Sequence, residues 1–415
     1  MRLTVRVCAF VITIFACFSA VDVASAQPAP VQAGQVLISE LRFRGPEGLE
    51  DEFIELYNNT DVPIVVQASD ASAGWAVAMS TGQITGNLCT VPNGTVIPAR
   101  GHFLCANTNG YSLSDYPAGI ASCGAQNGQN GNALVPPQFG HTTPDASWDF
   151  DVPDGSGVAL FTSASTINQT AATRLDAFGF TTSPALFREG AGFPVIPNAS
   201  LEHTLYRDLS ATLPKDTNDN AADFLFVSTV AYIQNNLNGA PGPENKCSPI
   251  TNNSGVLVTM LDPNVASTSA PNRERVLTPE TNANLGSLLV RRRITNNTGQ
   301  AISRLRFRTT ILTTRGSCPS PCADLRLLTS SNEPAVATSQ GPVAVEGLRL
   351  EENPPQQPDG GGMNSSVSLD TVHLANPIPA GGSRNIVWKL GVMRGGTYRY
   401  YINIEIINSP VIIAN

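Results

Sequence analysis

Beyond residue 26, no apolar run in this chain extends far before Gly, Pro, Asn or Asp ends it. A helix of ordinary length needs ~10–14 residues with apolar side chains recurring every three or four positions. The runs here instead alternate residue by residue, the period of a half-buried strand. In SLLVRRRITNNTGQAISRLRFRTTILTT, residues 287–314, the alternation appears on both sides of an Asn/Gly turn. Its register directs Leu305, Phe307, Thr309 and Ile311 inward and Arg304, Arg306 and Arg308 outward. The 35 glycines and 31 prolines follow no period, and only 14% of residues are charged. That composition suits an all-β chain with long turns.

A chain of 415 residues is expected to divide into two domains rather than enlarge one core. The opening stretch SELRFRGPEGLEDEFIELYNNT, 39–60, reads as a hairpin. Leu37, Leu41 and Phe43 alternate with Glu40, Arg42 and Arg44, Gly45-Pro46-Glu47-Gly48 makes a turn, and Glu52–Tyr57 returns. Short strands follow in GWAVA, VIPARGHFLCA, DVPDGSGVALFTS and TRLDAFGF, interrupted by a long polar segment, Asn107–Pro144. A link at 245–252 leads to a second region, 253–415, with about eight strand-like runs, a second sandwich. No repeat spacing between the two regions is evident in the sequence.

The order SELRFRGPEGLEDEFIELYNNT, GWAV, VIPARGHFLCA, DVPDGSGVALF and RLDAFGF resembles the lamin tail domain family, as found on exported bacterial proteins. The resemblance covers residues 35–244, including an ending, SLEHTLYRDLSATLPKDTNDNAADF, within a C-terminal extension at 184–244. It implies an immunoglobulin-like β-sandwich and an interaction or tethering role. The 107–144 insertion and the cysteines depart from the family pattern. The second region resembles no family.

Residues 1–26 read as a secretory signal peptide: Arg2 and Arg6, an apolar run at 7–21, and Ala24-Ser25-Ala26 before a short leader, 27–34. Lipidation at Cys17 is the alternative, which Phe15 fits poorly. No later run is long enough to anchor in a bilayer. Six cysteines follow the signal, an even number that suits disulfides in an exported chain. Cys318 and Cys322 are expected to pair; Cys89, Cys105, Cys123 and Cys247 can pair in three ways. A net charge of −8 argues against nucleic acid as partner. Seven Asn-x-Ser/Thr sequons, among them Asn58, Asn296 and Asn364, matter only in a host that glycosylates exported proteins.

The six acidic residues of the opening stretch invite a metal or catalytic reading. Strand alternation prevents Glu40, Glu52 and Glu55 from all pointing one way, so they are expected as solvated charges guarding a sheet edge. Asp216, Asn218, Asn220 and Asp223 place oxygen ligands at intervals like those of a calcium loop, without its glycine and terminal glutamate. Asp149, Asp151 and Asp154 form a weaker oxygen cluster. The four histidines, His102, His141, His203 and His373, include no i, i+4 pair, so no zinc helix of that kind exists. Arg291–Arg293 with Arg304, Arg306 and Arg308 can form a basic stripe, either an anion site or a solvated face. The expected function is non-enzymatic: an exported binding or tethering protein whose partner is a protein or glycan of the cell envelope, with no cofactor unless calcium. A calcium-dependent adhesin and an extracellular hydrolase or nuclease accessory protein are the alternatives.

Overall fold

The computed structural model of the chain describes residues 30–115, 142–196, 201–209, 213–229, 237–312, 323–351 and 361–408. Residues 1–29, most of the 107–144 segment, His141, Cys123, Cys318 and Cys322 lie outside the described residues. The fold is all-β, of β-sandwich type. The described residues from Val31 onward form one compact unit.

The first sandwich comprises β1 (Val36–Arg42), β2 (Phe53–Asn58), β3 (Ile64–Val65), β4 (Gly74–Ser80), β5 (Thr85–Pro92), β6 (Val96–Ile97), β7 (His102–Asn107), β8 (Ala146–Trp148), β9 (Gly157–Phe161), β10 (Arg174–Phe178), β11 (His203–Arg207), β12 (Phe224–Ser228) and β13 (Leu237–Asn238). One sheet runs β13-β12-β11-β1-β2-β7-β8, the facing sheet β10-β9-β4-β5, and β3 pairs with β6. Ile54, Leu56, Phe103, Leu205 and Phe224 of the large sheet pack against Trp75, Val77, Leu160 and Phe178 of the small one. The two sheets are also joined by the Cys89–Cys105 disulfide, one of the three pairings open from sequence. Cys247 is disulfide-bonded as well. The 184–244 extension supplies β11 and β12, which continue the sheet from β1.

The opening hairpin forms as read, with β1 antiparallel to β2, but its register slips between Ile38 and Glu40. The β-bulge changes the parity of the strand. Val36 and Ile38 before it, and Leu41 and Phe43 after it, all join the core between the two sheets, whereas Leu37, also fully buried, does not. Glu40 and Glu55 become cross-strand partners on the outer face.

The second sandwich comprises β14 (Ile250–Thr251), β15 (Val256–Met260), β16 (Arg273–Val276), β17 (Ser287–Asn296), β18 (Ile302–Leu312), β19 (Asp324–Leu328), β20 (Glu333–Thr338), β21 (Gly341–Gly347), β22 (Arg349–Leu350), β23 (Ser366–Ser368), β24 (Ser383–Arg394) and β25 (Tyr400–Asn408). Its sheets are β14-β25-β18-β23-β22 and β15-β17-β24-β21-β20, with β16 on β17 and β19 on β24. Leu305, Phe307, Val367 and Ile404 face Leu288, Ile386, Trp388 and Leu390. Phe307 and Trp388 meet edge to face at 4.9 Å.

The two sandwiches share a side-chain device at the end of one strand each. At the end of β2, Asn58 Oδ1 accepts from the backbone and hydroxyl of Thr60, and its Nδ2 donates to the carbonyls of Val62, Ile97 and Pro98. At the end of β17, Asn296 Oδ1 accepts from the backbone and hydroxyl of Thr298, and its Nδ2 donates to the carbonyls of Gln300 and Ile378. Each Asn-Asn-Thr turn docks on an Ile-Pro-Ala-x-Gly turn whose fourth residue is left-handed, Arg100 (φ 55°) in one case and Gly381 (φ 74°) in the other. The spacing between the two halves of the device differs, so no sequence period reveals it. Asn58, Asn296 and Asn364 are buried, which removes these three sequons as glycan sites of the folded chain.

Candidate functional site

The alternation along β18 places Leu305 and Phe307 in the core and Arg304, Arg306 and Arg308 on the opposite face, as its sequence dictates. That face is not open to water. The three arginines are 3%, 0% and 3% exposed. The outer face of the first sandwich's large sheet lies against it: Tyr206 and Val227 pack on Leu312 and Met363 across the junction. Glu244 at the end of the first region and Asn245 at the start of the expected link are buried here, at 0% and 2% exposure. The Arg304, Arg306 and Arg308 part of the stripe is therefore neither a solvated face nor an exposed anion site, because the neighbouring sandwich covers it; Arg291–Arg293 lie on β17 in the other sheet, where Arg291 pairs with Glu274 and Glu333 and Arg293 is exposed. Nor are the opening acidic residues solvated charges at a sheet edge: Glu40, Asp51, Glu52 and Glu55 are all buried.

The seam is a network of buried ion pairs. Arg306 holds Glu244 at 2.6 Å, Glu405 at 2.5 Å and Glu351 at 2.8 Å. Arg308 holds Glu405 at 2.7 Å and Glu244 at 2.6 Å and donates to Asn364. Arg304 reaches Glu351 at 3.4 Å, and Ser368 donates to the same carboxylate. From the first sandwich, Glu40 accepts from Gly242 N and Asn364 Nδ2. Burial, followed by the neighbouring Glu55 charge, pushes Glu40 up to about 7. Burial would also raise Glu244, but Arg308, His102 and Arg306 override it and hold Glu244 well below the usual carboxylate range.

His102 lies at the centre. Its Nδ1 is 3.0 Å from Glu55 Oε1 and its Nε2 is 2.9 Å from Glu244 Oε2. Burial alone would lower the imidazole; the Glu244 and Glu55 charges outweigh it and hold His102 up at about 10. In the bulge, Ser39 Oγ donates to Glu55 Oε1 at 2.5 Å. A hydroxyl, a carboxylate and a histidine are thus neighbours, but the hydroxyl proton goes to Glu55 and both ring nitrogens are occupied. The cavity bordered by Ser39, Glu55, His102, Glu244 and Arg308 measures about 20 Å³, room for one water and not for a substrate.

The remaining charges of the opening stretch tie its hairpin to neighbouring loops. Arg42 is buried against Asp51 and Glu202 and lies over the Phe53 ring. Glu52 accepts from Asn107, Trp148 and Val152 N, and burial pushes it up to about 8. Of the weaker oxygen cluster, Asp154 pairs with Arg44 at 2.9 Å, and the Asp149 carbonyl accepts from Asn109. His203 is buried against Phe226 and pushed down to about 4 by that burial, a neutral ring at physiological pH.

A second acidic centre lies beside β10 and β11. The four residues read as a calcium loop make separate contacts. Asn218 takes a left-handed conformation (φ 58°). Asn220 donates to Ala177 O and accepts from Gly179 N and Glu189 N. Asp223 accepts from Thr217 and from Asp219 N, closing the turn into the short helix Asn220–Asp223. Asp216 alone turns toward other carboxylates, those of Asp176 and Glu189, with one oxygen of each within 4.8 Å of the others. Burial first, then the charges of Asp176 and Asp216, push Glu189 up to about 9. Sequence spacing could not identify Asp176 or Glu189, which join Asp216 only through the sheet.

No family model matches the chain, and neither a curated protein nor a solved structure is significantly similar to it.

Proposed function

We propose that the chain is a non-enzymatic, exported binding or tethering protein, in which two sandwiches joined by a buried charge seam act as one rigid carrier for surface loops. The observation that carries this reading is the state of His102. Carboxylates hold both of its nitrogens, its position near 10 makes it a cation at neutral pH, and the space beside it admits one water. A general base needs a free nitrogen and a pKa near the working pH. The lamin-tail resemblance of the first half supports an interaction role. The signal-like N-terminus and the Cys89–Cys105 disulfide support an extracytoplasmic address. An acidic chain, with pI about 5.1, favours a protein or glycan of the cell envelope over nucleic acid.

An extracellular hydrolase is the second reading, favoured by the proximity of Ser39, Glu55 and His102. One experiment separates the two. The purified mature chain is titrated against envelope fractions of its host and offered ester, peptide, glycoside and phosphodiester substrates. Saturable retention without turnover is expected. Turnover that disappears in Ser39→Ala, which leaves every ion pair of the seam in place, would establish the hydrolase instead.

A further inference from the structure

The geometry points to a calcium site at the edge of the first sandwich, formed by Asp176 on β10, Glu189 in the segment after it and Asp216 in the loop after β11. This inference stands apart from the binding role proposed above. Glu189 is 6% exposed, and its Oε2 is buried without a hydrogen-bond partner among the described residues. The Arg174 guanidinium approaches only Oε1, at 3.8 Å. Asp216 Oδ1 is likewise buried without a hydrogen bond, with Arg207 at 3.6 Å. A buried carboxylate oxygen left without a donor is strongly unfavourable, and Glu189 presents one in a group where it, Asp176 and Asp216 each bring a carboxylate oxygen within 4.8 Å of the others.

Of the cations nearby, Arg207 hydrogen-bonds only one of the three carboxylates and Lys215 donates to a carbonyl. Arg207 donates to Ile38 O at 2.8 Å, to Lys215 O at 3.0 Å and to Asp176 Oδ2 at 2.6 Å. Lys215 Nζ donates to Ala222 O at 2.6 Å. Two oxygens that each lie ~2.3–2.6 Å from a calcium ion stand no more than about 5 Å apart. The observed spread, within 4.8 Å, is of the size that one ion bridges with small side-chain adjustments. The donors are all oxygen, which disfavours zinc and other softer metals. Magnesium demands shorter bonds and near-ideal octahedral geometry, which three ligands from separate segments match less well. The ion would pin the 188–193 turn and the 213–219 loop to the sheet. With one guanidinium already bonded to Asp176, the affinity expected is that of extracellular calcium modules, about 0.1–1 mM.

The test is thermal unfolding of the chelator-treated mature chain with added calcium or magnesium at constant ionic strength, and titration calorimetry for stoichiometry. A rise in Tm of about 3–5 °C is expected once calcium stands ten-fold above its Kd, with one ion bound per chain and less than half that rise for magnesium. Glu189→Gln relieves the carboxylate repulsion, so it should unfold no earlier than wild type without calcium and lose most of the calcium response. Asp216→Asn should lose the response too, and Asp151→Asn should keep it. Absence of a wild-type response would overturn the site. So would a response that survives both Glu189→Gln and Asp216→Asn, or an equal response to magnesium.

Discussion

Replacing Arg306 with methionine tests how much of the fold depends on the seam. The side chain is 0% exposed and bonds three carboxylates, Glu244, Glu351 and Glu405. Methionine fills a similar length with an apolar chain, so packing is largely kept and the charge is lost. After the change Glu405 retains Arg308 at 2.7 Å, Glu244 retains Arg308 at 2.6 Å and His102 at 2.9 Å, and Glu351 retains Arg304 at 3.4 Å. Five seam glutamates then face three cations, where four faced them before. Breaking a buried pair by removing one partner costs ~3–5 kcal/mol, against a total stability of ~5–15 kcal/mol for an ordinary domain. At ~2–4 °C per kcal/mol, Tm should fall by roughly 6–20 °C. Urea unfolding followed by tryptophan fluorescence reports both cores, since Trp75 lies in the first and Trp388 in the second. The loss should shrink at pH 4, where the orphaned glutamates can take up protons. Arg384→Met, which removes a pair with Glu346 that is about one quarter exposed, should cost less than about 1 kcal/mol. A loss as small as this in Arg306→Met, or one that does not change with pH, would refute the reasoning.

Three further outcomes are expected. Asn58→Ala and Asn296→Ala each leave buried backbone carbonyls without donors, and each should cost ~1–3 kcal/mol by urea unfolding; near-neutral effects would show that the shared turn device is dispensable. Removing the Cys89–Cys105 disulfide opens a loop of 16 residues and should cost about 3 kcal/mol, measured on the Cys89→Ala/Cys105→Ala pair; an unchanged midpoint would contradict it. Stability should decline on the alkaline side. His102, raised from 6.5 to about 10, contributes stability that is full below pH 6.5 and lost as pH rises through 10; Glu52, raised to about 8, acts the same way between 4.5 and 8. Glu244, held low, contributes stability that is present above its ordinary value of 4.5 and lost as pH falls below it. A urea midpoint that is flat from pH 6.5 to 10 would contradict this assignment.

Strand content was legible because alternation and turn residues are local. β17 and β18 flank the Asn/Gly turn as the alternation predicts. Side-chain parity was legible too, until the bulge at Ile38–Glu40 shifted it by one residue. What covers a charged face was not legible. Alternation says that Arg304, Arg306 and Arg308 leave their own core, but Glu244, Glu351 and Glu405 reach them from segments about 40 to 100 residues away. The same limit applies to Asp216, whose acidic neighbours Asp176 and Glu189 are brought near by the sheet. The SELRFRGPEGLEDEFIELYNNT stretch is charged because it is buried against partners: Arg42 against Asp51 and Glu202, and Glu55 against His102.

The ionisation state of His102 tests the central claim most directly. Imidazole nitrogen chemical shifts, read by NMR on the ¹⁵N-histidine-labelled chain, distinguish a doubly protonated ring from a neutral one. A structural cation clamped by Glu55 and Glu244 should carry both protons at pH 8 and titrate near 10. A neutral ring at pH 8 that titrates near or below 6.5, with one nitrogen free to accept a proton, would contradict the scaffold reading and favour the hydrolase.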